Sequence, residues 1–228
     1  MNSHSPRIAV AQRTSVSRRG FTLLLSGLLL PGSYAVVTPV RAQDMAPDQL
    51  VRATVDKVIA IIKEDKAIQA GDMRRILEVA EASAAIHFSF PRMTRLAMGA
   101  NWKQASAAQQ EALVREFRAL LLRTYAVALR EYRNQVIEVR PLKVAAGQSE
   151  VQVKTVVNQS GAQAIPIDYD MERTPQGWKV FDVTVGGVSL VVNFRSSFDS
   201  EVRKNGVDGL IKSLSERNSG AAAGTPRK

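Results

Sequence analysis

Asp168 and Asp170 are the two residues whose types and spacing come nearest to a catalytic pair. At alternate positions of an extended strand they lie on one face, roughly 7 Å apart, and paired carboxylates at such a distance can act as acid and base. However, Lys154, Glu172 and Lys179 follow the same alternation, which is typical of the solvent-facing side of a sheet. The pattern therefore favours a polar surface over an active site.

Little else in the chain could complete an active site. There is no cysteine, which excludes disulfides, thiol nucleophiles and cysteine-ligated metals. The two histidines, His4 and His87, are too few for a triad or a histidine metal site. The Gly186-Gly187 pair lacks the third glycine and the lysine of a phosphate-binding loop. We therefore predict that the protein is not an enzyme and that it has no metal and no cofactor.

Residues 1–42 have the composition of an export signal. They contain five arginines and no acidic residue. The apolar run from Phe21 to Leu30 is followed by Pro31-Gly32 and by a small-residue cleavage site that ends at Ala42. As a helix this run spans about 15 Å, against about 30 Å for the hydrocarbon core of a bilayer. We predict a cleaved signal peptide over residues 1–42 and a periplasmic location.

Two alternatives for this segment stay open. Arg18 and Arg19 stand before Gly20-Phe21 as in a twin-arginine export signal, but ordinary secretory leaders also carry such pairs, so the sequence leaves both export routes open. An uncleaved anchor from Phe21 to Val40 would place Pro31, Gly32 and Pro39 inside the membrane, which is unfavourable.

The leader also accounts for half of the net charge. The whole chain has a net charge of +10, but 26 basic and 21 acidic residues follow residue 42, which gives +5. A domain with this ordinary balance gives no reason to predict a nucleic-acid partner.

Apolar residues recur at helical spacing from Pro47 to Leu129 and predict four helices. The clearest follows Ser106, which forms a capping box with Gln109, and it has one wide apolar face along its whole length. The other three lie around Leu50–Ile62, Met73–Ala80 and Pro91–Met98. Near the C-terminus, two further helices are predicted on either side of a break at Asn205-Gly206.

Between these helical regions the period changes to two, from Asn134 onward. The predicted strands are Val136–Val144, Val151–Val157, Ile165–Arg173 and Trp178–Val185. The turns between them are short, and short turns join antiparallel neighbours. The sequence thus predicts an α+β fold in which a four-stranded antiparallel meander packs against several helices. We expect a single domain over residues 43–218 and a disordered tail over residues 219–228.

The helices and the sheet together offer more apolar surface than one core of this size requires. The helices carry adaptable methionines at Met73, Met93 and Met98, and the strands are rich in valine. This surplus suggests a ligand cavity, although a fully packed core would explain the same apolar faces.

Eight segments carry a family resemblance that runs from about residue 48 to 216. They are Met93–Trp102, Phe117-Arg118, Leu122–Ala126, Ile165–Tyr169, Gly177–Val183, Gly186–Leu190, Asn193–Phe198 and Gly206–Leu210. In this order they resemble the MlaC family of periplasmic phospholipid-binding proteins, also called toluene-tolerance auxiliary transport components. One small departure is Ser89, which stands where the family frequently has aspartate.

The resemblance implies an NTF2-like or MlaC-like fold with a lipid cavity between the sheet and the helices. It also implies a carrier that moves phospholipid between the two membranes of a Gram-negative envelope and maintains the lipid asymmetry of the outer membrane. The implied partners are the phospholipid, the MCE-domain subunit of an inner-membrane ABC transporter and an outer-membrane lipoprotein component.

Apolar facing selects the residues expected to line this cavity. From the long helix we predict Phe117, Leu121, Tyr125 and Leu129, from the sheet Val153, Ile167, Tyr169 and Val183, and near the mouth Met98 and Trp102. Exposed arginines such as Arg92, Arg95 and Arg140 are candidates for contact with the membrane partners.

Three other functions stay open at this point. The chain could carry another lipid, such as a hopanoid. It could be an enzyme on a related fold that uses Asp168 and Asp170, or an adaptor with a filled core and no cargo.

Overall fold

The computed structural model describes residues 45–222, so the predicted signal peptide lies outside the described residues. The helices are α1 (Pro47–Glu64), α2 (Lys66–Gln69), α3 (Met73–Ser83), α4 (Phe90–Met98), α5 (Ala107–Arg130) and α6 (Arg195–Ala222). The strands are β1 (Val136–Val139), β2 (Glu150–Asn158), β3 (Ile165–Thr174), β4 (Gly177–Val185) and β5 (Val188–Ser189). Within this part of the chain, no helix is both long and apolar enough to cross a membrane.

The strands form one antiparallel sheet in the order β1-β2-β3-β4-β5, so the predicted meander is confirmed. The sheet has five strands, and the prediction of four is wrong. The fifth strand follows a turn at Gly186-Gly187, where both glycines have positive φ, and its two residues are too few to show a period. The first strand ends at Val139 and not at Val144, because Pro141 has no N–H with which to continue the ladder.

The helix predictions agree with the structure in their main features. Ser106 accepts a hydrogen bond from the Gln109 N–H, and the Gln109 side chain accepts one from the Ser106 N–H, which completes the capping box of α5. The predicted break at Asn205-Gly206 is a kink within α6, where Gly206 has φ +70°. The helix then continues to Ala222, four residues into the segment predicted as a tail. Asn218 holds its last turns by donating to the backbone carbonyl of Glu116 on α5.

The apolar side chains gather in three clusters. The first joins α4, α5 and α6 around Phe117, whose ring lies 5.1 Å from the rings of both Phe194 and Phe198. The second joins α1 to one face of the sheet, where Leu50 and Val51 pack on the strands. The third fills the space between α1, α3 and the C-terminal half of α5.

Arg92 connects α4 to the other face of the sheet. Its guanidinium donates to Glu172 on β3 at 2.7 Å and to Glu150 on β2 at 2.8 Å, and it lies 3.5 Å from the centre of the Phe181 ring on β4. The expectation that Arg92 is an exposed residue available to partners is therefore wrong. Arg95, on the same helix, is exposed.

We expect Arg92→Ala to lower the free energy of unfolding by about 2 kcal/mol. The substitution leaves the half-buried carboxylate of Glu172 without its cation and removes the contact with Phe181, whereas the more exposed Glu150 contributes less. Urea unfolding at neutral pH measures the loss. The control is Arg95→Ala, which should change stability by less than about 0.5 kcal/mol. Equal effects of the two substitutions would contradict this account of Arg92.

Candidate functional site

The inner face of the sheet, the apolar face that α1 covers, is built by alternate residues of each strand. Residues directly opposite each other on neighbouring strands share a face, so the register identifies the members. At one end of the sheet this inner face is closed. There, α1 contacts β1 and β2, and its Leu50 and Val51 form one buried cluster with residues of four strands, namely Val139, Val151, Val153, Met171, Trp178 and Val180.

The other end of the same inner face is not covered in this way. Two neighbouring rows of cross-strand partners continue the apolar surface, one through Val157 and Ile165, the other through Ile167 and Val185. All of these are half-buried or exposed. We call this surface the open patch, and its members are Ile137, Val157, Ile165, Ile167, Val185 and Val188. Across five strands spaced about 4.8 Å apart, it extends for roughly 19 Å.

The apolar face of α5 is likewise buried at one end of the helix and only partly covered at the other. Its N-terminal half buries Leu113, Phe117 and Leu121 against α4 and α6. Helical periodicity carries this face on to Tyr125 and Ala128, which are half-buried and exposed. The buried sides of the sheet and of α5 thus both continue into apolar surface that is only partly covered.

The chain connection brings these surfaces toward the same end of the molecule. Only residues 131–135 separate the end of α5 from the start of β1, so the last turn of α5 lies toward the end of the sheet that carries the open patch. Burial raises the pKa of Tyr125, and so does the negative charge of Asp182, which lies opposite Asp170 on the outer face of the sheet. The Tyr125 phenol therefore stays neutral.

Asp182 fixes the chain that leads from the sheet to α6. Its buried carboxylate accepts hydrogen bonds from the Ser189 hydroxyl at 2.5 Å and from the N–H groups of Val183 and Val191. Ser189 in turn accepts from the Val192 N–H. This chain of bonds holds β5 and residues 191–192, which lead toward α6, in place beside the open patch.

The predicted lining residues fall into three places. Phe117, Leu121 and Met98 are buried in the cluster of α4, α5 and α6, with Trp102 and Tyr125 at its margin. On the inner face of the sheet, Val153 and Val183 are buried, while Ile167 and Tyr169 are half-buried. Leu129 belongs to the cluster that α1, α3 and α5 form. Five of the ten therefore have the partial exposure expected of a lining residue, namely Trp102, Tyr125, Leu129, Ile167 and Tyr169, and the role of all ten stays a prediction.

The remaining members of the open patch escaped the sequence argument. They are Ile137, Val157, Ile165, Val185 and Val188, which share the face of Ile167 through strand alternation and register, and alternation was the signal that could have identified them. A β-bulge between β3 and β4 also changes the phase of β4, because Asp170 opposes Asp182 whereas Met171 opposes Val180. The bulge places Val180 and Val183 on the inner face together, and the alternation alone would have put them on opposite faces.

Two grooves are also present, and both are lined by helices. One, of about 690 Å³, lies along α5 and is bordered by Trp102, Val114 and Leu122 and by the ion pair of Arg118 with Glu81. The other, of about 520 Å³, lies near Ile62, Leu129 and Tyr132. Neither has a wall formed by the sheet. A lipid cavity between the sheet and the helices therefore stays a prediction.

Asp168 and Asp170 lie on the outer face of the sheet, away from the open patch. Asp170 accepts a hydrogen bond from the Gln152 side chain at 3.0 Å. Burial raises the pKa of Asp170, the Gln152 bond opposes this, and the charges of Asp182 and Asp168 raise the pKa further. His87 is half-buried, and burial and the charges of Lys179 and Lys57 lower its pKa.

The raised pKa of Asp170 predicts the sign of a pH effect. A carboxyl whose pKa is higher in the folded state favours folding when protonated, and this contribution is lost as the pH rises through the folded-state pKa. Asp170→Asn should therefore stabilise the protein at pH 7, and its advantage should disappear on acidification toward about pH 4, near the ordinary pKa of aspartate. Urea unfolding across this range measures the difference, with Asp56→Asn on the exposed side of α1 as the control. A variant less stable than the wild type at pH 7 would contradict the prediction.

Comparison with known proteins decides the family. The model of the family described as MlaC protein matches residues 52–216, which is most of the chain. The chain belongs to the MlaC family. Within the described residues, the match covers nearly all of the helices and the whole sheet.

Two curated relatives resemble this MlaC-family chain over most of their length. The toluene tolerance protein ttg2D of Pseudomonas putida is 26% identical over 195 residues, covering 85% of this chain and 86% of the relative. The intermembrane phospholipid transport system binding protein MlaC of Haemophilus influenzae is 21% identical over 184 residues, covering 79% and 86%.

A solved structure is also similar to this MlaC-family chain. It is the phospholipid-binding protein from Ralstonia solanacearum, determined in complex with a phospholipid. The TM-score is 0.72 at 35% identity, and the match covers 78% of this chain and 99% of that one. The comparison supports the α+β arrangement described above, while the NTF2-like part of the fold prediction stays a prediction.

Proposed function

We propose that this MlaC-family protein binds phospholipid and carries it through the bacterial envelope. The observation that carries the proposal is the similar structure from Ralstonia solanacearum, which holds a phospholipid. The open patch supports it, because partly exposed aliphatic side chains on five neighbouring strands offer the kind of surface that acyl chains cover.

The energetics of such a carrier are balanced. Each buried methylene contributes about 0.8 kcal/mol, so two acyl chains gain on the order of 20 kcal/mol against water before the ordering costs are subtracted. A bilayer offers the chains a similar environment, so the exchange between protein and membrane lies near equilibrium. No bond is made or broken, and the reaction requires neither a nucleophile nor a cofactor.

The wider role follows from the same proposal. The carrier would work in the periplasm after cleavage of residues 1–42, moving lipid between the two membranes and maintaining the lipid asymmetry of the outer membrane. Its protein partners would be the MCE-domain subunit of an inner-membrane ABC transporter and an outer-membrane lipoprotein component. The relative from Haemophilus influenzae, named as part of an intermembrane phospholipid transport system, supports this role.

The direct test is to purify the protein without detergent and to determine what it contains. We expect native mass spectrometry to show a mass above that of the polypeptide, and lipid extraction to recover phospholipid from the same sample. A bound lipid without phosphate would instead indicate a carrier of another lipid class. A monomer of bare polypeptide mass that also takes up no phospholipid from vesicles would contradict the proposal.

A further inference from the structure

Exposed aliphatic side chains concentrate at one end of the sheet. Among the described residues, five large hydrophobic side chains are exposed, and four of them lie at this end: Val136 at 60%, Ile165 at 45%, Val188 at 56% and Val192 at 42%. The fifth, Ile86 at 53%, lies near the opposite end, where its carbonyl accepts a hydrogen bond from Lys179 at the start of β4. The distribution is therefore strongly one-sided.

The strand register shows why these residues meet. Val136 opens β1 opposite the end of β2, Ile165 opens β3 opposite Val157, and Val188 on β5 pairs with Val185 at the end of β4. The Gly186 N–H donates to the Pro166 carbonyl and ties the turn between β4 and β5 to the start of β3. We call this the distal end of the sheet, formed by residues 132–137, 158–167 and 185–194.

The distal end is almost free of charge. Its 26 residues include a single charged residue, Arg133, and no acidic one, although 23% of the whole chain is charged. The guanidinium of Arg133 donates to the backbone carbonyls of Arg130 and Tyr132 at the end of α5. The opposite end of the sheet, by contrast, carries the charged residues Arg140, Lys143, Glu150, Glu172, Arg173 and Lys179.

We propose that the distal end is the surface with which this protein docks directly on a lipid bilayer. The inference rests on the proposed function, because Ile165 and Val188 belong both to the exposed end and to the open patch. A lipid could then move from the bilayer to the patch along continuous apolar surface, without exposing its chains to water. The distal end combines aliphatic side chains with uncharged amide, hydroxyl and glycine residues, and this composition suits the interfacial region of a membrane.

The charge pattern favours a bilayer over a protein partner as the occupant. Electrostatic complementarity is what selects and orients protein partners, and the distal end itself carries one cation and no anion, with the Glu138 carboxylate bonded to Asn158 at its border. An apolar contact with lipid has no such requirement. It predicts that binding depends little on anionic lipid or on salt, whereas adsorption through the basic residues elsewhere on the chain would depend on both.

Flotation with vesicles tests the proposal. The wild type should float with phosphatidylcholine vesicles as well as with vesicles that contain phosphatidylglycerol, and it should still do so at about 0.5 M salt. The double variant Ile165→Asp with Val188→Asp should float on the order of tenfold less. The matched control is Ile86→Asp, which adds a carboxylate at an equally exposed site away from the distal end and should float like the wild type. Every variant has the same N-terminal residues, so these affect all samples equally.

A tryptophan introduced at the distal end gives an independent measurement of docking that does not require a disruptive charge. Val188→Trp should shift its emission to the blue when phosphatidylcholine vesicles are added, and Ile86→Trp should not. Flotation of the Ile165→Asp, Val188→Asp variant at the wild-type level would overturn the docking proposal. A wild type that floats only with anionic vesicles at low salt, or with none, would overturn it as well, and the latter would point to a protein partner. Lipid extraction of the purified protein tests the carrier function separately, since a protein that contains phospholipid can still fail to float.

Discussion

Ile167→Glu is expected to lower the phospholipid content of the purified protein at least about tenfold while the fold is retained. Ile167 lies within the open patch, between Thr155 and Val185 on the neighbouring strands. The new carboxylate would keep its hydration in the empty protein but would lose it beneath an acyl chain, and burying an unpaired charge is very unfavourable. The lipid phosphate recovered per mole of protein measures the effect.

A second residue of the open patch and an exposed residue elsewhere supply a matched pair for this experiment. Ile137 belongs to the open patch, whereas Ile86 is exposed and lies away from both the open patch and the distal end. We expect Ile137→Glu to reduce the lipid content and Ile86→Glu to leave it unchanged. Wild-type lipid content in a correctly folded Ile167→Glu protein would show that the open patch is not part of the lipid site.

The general fold was accessible from the sequence because its signals are local. The capping box at Ser106 and Gln109 and the change of period at Asn134 depend on neighbouring residues only, and the short turns then leave antiparallel pairing as the natural arrangement. The two-residue strand β5 could not be predicted, because a period requires several residues. The bulge opposite Asp170 was equally hidden, since it arises from how two strands fit together.

The site could be predicted from the sequence only in part, for a related reason. Alternation shows which residues of a strand share a face, and it correctly places Ile167 and Val153 on the apolar one. It contains no information about where α1 lies on that face, and this decides that Val153 is buried and Ile167 half-buried. The separation of core from lining is therefore a tertiary property, and the long helix α5 shows the same division.

Phe117→Ala is expected to lower the free energy of unfolding by about 3–5 kcal/mol. The side chain is fully buried, and its ring meets edge-on the rings of Phe194, just before α6, and of Phe198 in α6. Truncation would leave a cavity among rigid aromatic rings that cannot easily collapse. Urea unfolding should be measured on delipidated protein, because a bound lipid adds to the apparent stability.

Tyr125→Ala is the informative comparison, because Tyr125 lies eight residues later on the same apolar side of α5 and is half-buried. We expect it to cost about 1 kcal/mol, since less contact area is lost, but to reduce the lipid content. The two variants should thus separate the halves of one helix face. Loss of the Phe117 side chain destabilises the fold, and loss of the Tyr125 side chain weakens the binding of lipid. If delipidated Phe117→Ala is as stable as the wild type and contains little lipid, Phe117 lines the site and the division of α5 into core and lining halves is wrong.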